Sequence, residues 1–174
     1  MEATGILLVG GASARFGSSK PLARLEGEML AERAWRLFGE CCTARLAVGK
    51  RDDGLPLPFE LVDDATAVRA PLAGLVAGLR AATTELCVVV PVDCPALTTD
   101  ALEALAAACL DAAVPQTGPL PGAYRRRALP VLERRLAAGE LKLRDALDEL
   151  DVARVELPAA VLVNVNSPAE LARA

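Results

Sequence analysis

The chain has 174 residues, 53% of them apolar, a formal charge of −4 and a pI of about 5.0. That is room for one domain with a full core and too little for two of ordinary size; it excludes wholesale disorder and argues against nucleic acid as the partner. With 0 His, and with 3 Lys against 16 Arg, 2 Asn, 1 Gln and 4 Ser, there is no Ser-His-Asp triad, Cys-His dyad or His-ligated metal, so the chemistry must use carboxylates, Lys and Arg, backbone amides or a bound metal.

Strand and helix patterns alternate along the chain. Gly5 to Val9 is a short apolar run ending in glycines, which predicts a buried strand. Met29 to Cys42 predicts a helix with Leu30, Ala34, Leu37, Phe38 and Cys41 on one face. Ala44–Val48 and Phe59–Val62 predict strands on either side of a Gly/Pro/Asp loop. A helix over Pro71–Ala82 carries Pro in its first turn, and Leu86–Val90 is the clearest buried strand. A helix from about Thr99 has Asp100 and Glu103 as a cap pair. A weak strand over Ala112–Val114 is followed by a Gly/Pro-rich loop, Gln116–Gly122. Helices return near Ala128–Ala138 and Leu143–Leu150, and strands are predicted over Val152–Leu157 and Val161–Val163. A last helix, Pro168–Ala172, is opened by a capping box of Ser167 and Glu170.

Apolar strands joined through helices imply a sheet covered on both faces. The expected fold is therefore α/β, a single three-layer α/β/α domain over residues 1–174 with a mostly parallel, partly mixed central sheet. Ligands of such sheets sit at the carboxyl ends of the strands, so the loops after Val9, Val62 and Val90 are the places to look for a site.

The five cysteines, Cys41, Cys42, Cys87, Cys94 and Cys109, include no C-x-x-C pair, and their number is odd. The longest apolar stretch, Pro71–Leu79, falls well short of the roughly 20 residues of a membrane span. These features lead us to expect reduced thiols, a cytoplasmic location and no membrane partner. Cys87 reads as core, and Cys94 as either core or a reactive thiol.

The segment Gly10-Gly-Ala-Ser-Ala-Arg15-Phe-Gly-Ser-Ser-Lys20 holds three of the four serines, one of the three lysines and three glycines. Free amides in such a loop can cradle phosphate oxygens, and Arg15 and Lys20 add two cations suited to a polyphosphate. It matches neither a Walker A loop nor a G-x-G-x-x-G fingerprint, and a solvated surface loop is the alternative. Asp93 follows the Val88–Val92 run, where a carboxylate can hold Mg²⁺ shared with substrate phosphates or can cap a turn. Asp63 and Asp64 end the Phe59–Val62 strand, as a polar contact to a ligand or as a solvated turn. Asn164-Val-Asn166 holds both asparagines, and alternation puts their side chains on one side of an extended tripeptide. Turn chemistry into the last helix is the other reading of that tripeptide. Arg125–Arg127 reads as a solvated helix start or as an anion site for a second phosphorylated substrate.

These motifs resemble those of the molybdenum cofactor guanylyltransferases (the MobA family), within the Rossmann-like nucleotidyltransferases. The family's Leu-Ala-Gly-Gly-x-Ser-x-Arg-Met-Gly-x-x-Lys opening is similar to Leu8-Val-Gly-Gly-Ala-Ser-Ala-Arg15-Phe-Gly17-Ser-Ser-Lys20. Its Gly-Pro-Leu-Ala-Gly helix start resembles Ala70-Pro71-Leu-Ala-Gly74, with Ala70 in place of a glycine. Its Cys-Asp-x-Pro-x-Leu motif resembles Val92-Asp93-Cys-Pro-Ala-Leu97, and its Asn-Val-Asn-Thr-Pro resembles Asn164-Val-Asn166-Ser-Pro168. Pro119–Arg126 is similar to the family's segment after its variable loop, and Gly49 and Lys50 stand where some members place an Asn near the base.

The resemblance implies transfer of GMP from GTP to the phosphate of molybdopterin, metal-bound or metal-free, with release of pyrophosphate. It implies that Leu8, Val9, Gly10 and Gly11 lie at the guanine nucleotide, that Lys20 binds the triphosphate and that Asp64 contacts the nucleotide. Asp93 would contact the nucleotide and be the Mg²⁺ ligand, Arg15 would steady the leaving pyrophosphate, and Asn164 and Asn166 would face the pterin. Arg15, Lys20 and Asp93 form the implied catalytic set. Transient contact with other proteins of the cofactor pathway is also implied. A nucleotidyltransferase of the same fold using CTP or another phosphorylated acceptor, and a non-catalytic GTP-binding protein, are the competing readings.

Overall fold

The computed structural model describes residues 1–10 and 19–171. The first strand, β1 (Thr4–Leu8), is buried along its whole length. Its unbroken apolar run is what a strand covered on both faces requires. A small hairpin of β2 (Arg24–Leu25) and β3 (Glu28–Met29) turns through Glu26 and Gly27, both at positive φ. The glycine eases that turn, although the sequence carries no Asn-Gly or Asp-Gly hairpin signature there. Helix α1 (Leu30–Cys41) follows, and buries Leu30, Ala31, Phe38 and Cys41.

Strand β4 (Ala44–Gly49) leads to β5 (Leu61–Asp63), which begins two residues later and ends one residue later than the Phe59–Val62 pattern predicts. Helix α2 (Pro71–Ala81) begins with Pro71 at its first turn, after Ala70 at φ −141°. An L-residue adopts that extended backbone freely, so Ala in place of the family's Gly imposes no strain. Strand β6 (Leu86–Pro91) then enters the centre of the sheet. Helix α3 (Thr99–Ala108) is capped by Thr98, whose Oγ1 accepts from the Ala101 N–H at 3.3 Å. The expected Asp100–Glu103 pair is thus corrected: the cap lies two residues earlier, where a hydroxyl meets the third amide of the helix.

Strands β7 (Ala112–Pro115) and β8 (Gly122–Arg125) flank the predicted Gly/Pro-rich loop. The second was not expected, since a four-residue run around one Tyr has no strand pattern of its own; its ladder partners on both sides make it a strand. Helices α4 (Leu129–Ala137) and α5 (Leu143–Ala146) follow, with a 3-10 turn at Leu147–Glu149 in place of the end of the predicted longer helix. Strand β9 (Val152–Val155) is shorter than predicted. The Val161–Val163 strand is overturned: Ala159–Leu162 is a 3-10 turn, closed by the Val161 N–H on the Pro158 carbonyl at 3.1 Å. The last element is α6 (Pro168–Leu171). Ser167 Oγ accepts from the Glu170 N–H at 3.2 Å, as in a capping box, but Glu170 reaches back to the Asn166 N–H, at 2.6 Å, and not to that of Ser167.

The strand order is β5-β4-β1-β6-β8-β7-β9, with β8 alone running against its neighbours. Alternation along β1 divides the core. Ile6 and Leu8 pack with α2, α4 and α5, and Leu7 and Val9 pack with α1 and α3. The fold is the expected three-layer α/β arrangement. Six strand ends, those of β1, β4, β5, β6, β7 and β9, therefore open on one rim of the sheet.

Candidate functional site

The rim is built by backbone ladders that run just past the strands. The Val9 N–H bonds to the Val48 carbonyl at 3.0 Å, that of Val92 to Leu8 at 3.1 Å, and that of Asp64 to Gly49 at 3.2 Å. These bonds set Gly10, Lys50, Asp64 and Asp93 side by side at the ends of four parallel strands. The Leu8 and Val9 side chains belong to the two cores, so a ligand over β1 meets backbone there. Glycine at position 49 is needed for close approach, because a Cβ would lie 2.7 Å from Val9 Cγ2. The family's smaller residue at position 9 is replaced by Val in this chain, and Gly49 accommodates the added volume.

Lys20, Asp93 and Asn166 come together from three distant parts of the chain. Lys20 opens a 3-10 turn, Lys20–Leu22, in which Pro21 is buried. Its Nζ donates to Asp93 Oδ2 at 3.1 Å and to Asn166 Oδ1 at 3.1 Å. The ion pair is largely shielded, with side chains 15% and 25% exposed. Asp93 sits in the turn after β6. There the Cys94 N–H bonds to Pro91 at 3.4 Å, and Arg33 Nε braces the Pro95 carbonyl at 2.9 Å.

The Asn164–Asn166 tripeptide is docked onto this turn. The Val165 N–H bonds to the Asp93 carbonyl at 2.9 Å, and Cys94 Sγ donates to Asn164 Oδ1 at 3.0 Å. Val165 is fully buried while both asparagines remain on the surface, so alternation does put them on one side. Burial, reinforced by the Asp93 charge, pushes the Cys94 thiol well above the ordinary thiol range. It is therefore a protonated donor, and its reading as a reactive thiol is not supported.

The two acidic residues after β5 divide their roles. Asp63 accepts from the Ala65 N–H at 2.7 Å and the Arg51 N–H at 3.0 Å, which lowers its carboxyl from the ordinary range. It serves the turn, where Ala65 has a φ of +53°. Asp64 pairs with Lys50 at 2.5 Å, and the two side chains are 8% and 13% exposed. Lys50 also donates to the Thr66 carbonyl. In the sequence Lys50 stands out only as a departure from a family position; its being one of three lysines is the available signal.

The arginine run is displaced from this rim. Register pairs Arg125 with Leu86, at the amino end of β6, whereas Asp93 follows the carboxyl end. Arg127 bonds to Asp111 at 2.5 Å, Arg126 lies 4.0 Å from Glu85, and Arg125 donates to the Cys109 carbonyl at 3.3 Å. The reversed direction of β8 thus removes Arg125–Arg127 from consideration as a second-substrate anion site. Gly11 and Arg15, with residues 12–14 and 16–18 of the glycine loop, lie outside the described residues.

Among the described residues no group of three or more acidic or Cys side chains could hold a metal. Among the described rim carboxylates Asp63 is taken up by its turn and Asp64 by Lys50, which leaves Asp93, partly exposed beside a lysine, as the donor for a cation. That set fits Mg²⁺, which takes one or two carboxylates and completes its shell with substrate phosphates and water. All five cysteines are free, and no described helix is long and apolar enough to cross a membrane.

The family model described as MobA-like NTP transferase domain matches residues 5–155. A protein of Chloroflexus aggregans named probable molybdenum cofactor guanylyltransferase is 35% identical, over 98% of this chain and 92% of its own. One of the same name from Deinococcus radiodurans is 38% identical, over 97% and 92%. The crystal structure of molybdopterin-guanine dinucleotide biosynthesis protein A from Archaeoglobus fulgidus superposes with a TM-score of 0.82 at 25% identity, over 98% of this chain and 95% of that one. A 2-C-methyl-D-erythritol 4-phosphate cytidylyltransferase from Thermus thermophilus shares the fold, with a TM-score of 0.76 at 19% identity. The chain belongs to the family of MobA-like NTP transferase domains.

Proposed function

We propose that this protein transfers GMP from GTP to the phosphate of the molybdenum cofactor, releasing pyrophosphate and forming the guanine dinucleotide cofactor, and that it does so in the cytoplasm. The observation that carries this reading is the 3.1 Å approach of Lys20 to Asp93, at the carboxyl rim of a parallel sheet, from 73 residues away in sequence. The relatives named as guanylyltransferases support the same reaction.

The chemistry asks for charge neutralisation and positioning. An oxygen of the acceptor phosphate attacks the α-phosphorus, a new P–O bond forms, and the bond to pyrophosphate breaks. The attacking oxygen is unprotonated at neutral pH, so no imidazole base is needed. In our reading Lys20 turns from Asp93 to the triphosphate as the nucleotide enters. Asp93 would hold Mg²⁺, which would neutralise charge on the phosphates. Arg15 steadies the departing pyrophosphate. The backbone of Leu8, Val9 and Gly10 lies against the guanosine, with Gly11 and Asp64 as further nucleotide contacts. Asn164 and Asn166 face the pterin side.

Calorimetry with Mg²⁺ and either GTP or CTP tests the nucleotide assignment. Tighter binding of GTP is expected; tighter binding of CTP would overturn it.

A further inference from the structure

Residues 157–166 cross from the edge strand β9 to the turn after β6 with one 3-10 turn as their regular structure, yet they are held at both ends. At the start, Gln116 makes a two-point clasp: its Nε2 donates to the Leu157 carbonyl at 2.7 Å and its Oε1 accepts from the Leu157 N–H at 3.1 Å. The clasp lies just beyond the last register pair of β7 and β9, Pro115 with Val155. There β7 turns away, and the Gln116 side-chain amide takes the place of the peptide group that the next strand residue would have offered. Gln116 is the single glutamine of the chain. At the far end are the Cys94 thiol on Asn164 at 3.0 Å and the Val165 N–H on Asp93 at 2.9 Å. Between the two anchorages residues 158–160 and Val163 are exposed, Val163 to 44%, while Val161 and Leu162 lie half-buried against the core.

We infer that Gln116 and Cys94 are positioning residues for the acceptor side of the reaction. They latch the 157–166 strap at its two ends, and so set Asn164 and Asn166 against Asp93 and Lys20. Neither side chain touches the reacting atoms, although the Cys94 thiol also reaches Asp93 Oδ1, at 3.8 Å. The inference rests on the proposed function for what the asparagines face, but the latch itself can be read without turnover.

The test compares Gln116→Leu, Cys94→Ala and Cys94→Ser with the wild type. The first two each remove hydrogen bonding from one end; Cys94→Ser retains a donor. Hydrogen exchange at the Val165 amide, eight residues from the clasp, should speed up about tenfold in Gln116→Leu and in Cys94→Ala, the scale set by loss of one or two hydrogen bonds. In the same two variants KM for the molybdenum cofactor should rise about tenfold, and in Gln116→Leu, whose side chain bonds to Leu157, Kd for GTP should stay within about twofold. Cys94→Ser should restore both values to near wild type. Unchanged Val165 exchange in Gln116→Leu overturns the inference. So does Cys94→Ser behaving as Cys94→Ala, or GTP affinity in Gln116→Leu falling as far as acceptor affinity. If the wild type transfers no GMP to the cofactor, the proposed function fails, and Val165 exchange alone still decides whether the strap is latched.

Discussion

Asp93→Asn separates catalysis from folding at the rim. The carboxylate and Lys20 Nζ lie 3.1 Å apart, which at an effective dielectric constant of about 20 is a gross attraction of about 5 kcal/mol. Most of that is offset by the desolvation of the two charges and the ordering of a long side chain. The net contribution of a partly exposed pair is about 1 kcal/mol, or about 2–4 °C in Tm for a chain of this size. Two features further limit the loss of stability. Lys20 keeps its bond to Asn166, and Val165 bonds to the backbone carbonyl of residue 93, which the substitution leaves in place. Activity should respond very differently, because the variant loses a full negative charge where the cation and triphosphate are to be held. Removing one group that stabilises developing charge lowers kcat by about 100- to 1000-fold, or about 3–4 kcal/mol. Thermal melts followed by circular dichroism and acceptor-dependent pyrophosphate release measure the two effects on one preparation. Wild-type turnover would refute the role assigned to Asp93. A Tm loss above about 10 °C would refute the claim that the pair is functional more than structural.

Lys50→Met leaves the Asp64 carboxylate, 8% exposed, without its cation, and should cost about 3 kcal/mol in urea unfolding. Adding Asp64→Asn should recover part of that loss, and a double variant no more stable than the single one would contradict the pairing. Gly5→Ala would place a Cβ 2.4 Å from the buried Phe38 ring, at the centre of the sheet. Overpacking of this kind should cost about 2–3 kcal/mol by the same measurement. Burial raises the Cys87 thiol from its ordinary 9.0 to about 12, so the stability it contributes is complete below pH 9.0 and is lost as pH rises toward 12. Tm should therefore fall between those pH values, and Cys87→Ala should flatten the decline; an equal slope in both proteins would show that the thiol is not a cause.

Much of the fold was legible in the sequence, for reasons that particular residues show. Leu86–Val90 reads as a central strand because both its faces are covered and no polar alternation is needed. Pro71 at a helix start is legible because a fixed φ and a missing N–H suit that position alone. The rest depends on partners far along the chain. Gly122–Arg125 becomes a strand by inserting between β6 and β7, one of which lies more than thirty residues upstream. Val161–Val163 has a strand's composition, yet Pro158 begins a turn there. Thr98 outcompetes Asp100 as the cap because its hydroxyl, at the residue before the helix, meets the free amide.

The site divides in the same way. Lys20, Asp93 and the paired asparagines stood out because such polar residues are rare in this chain, and the fold brings them within hydrogen-bond distance. Lys50 and Gln116 were visible only as single unusual residues. Their significance comes from Asp64 and Leu157, which no local pattern links to them. The arginine triplet had the appearance of an anion site until the direction of β8 placed it at the other end of the sheet.

The most direct measurement is the mass of the product formed from GTP, Mg²⁺ and the molybdenum cofactor. Addition of one GMP to the cofactor, with one pyrophosphate released per addition, is the result predicted. An unchanged cofactor in the presence of bound GTP would contradict the assignment of this rim as a guanylyl-transfer site.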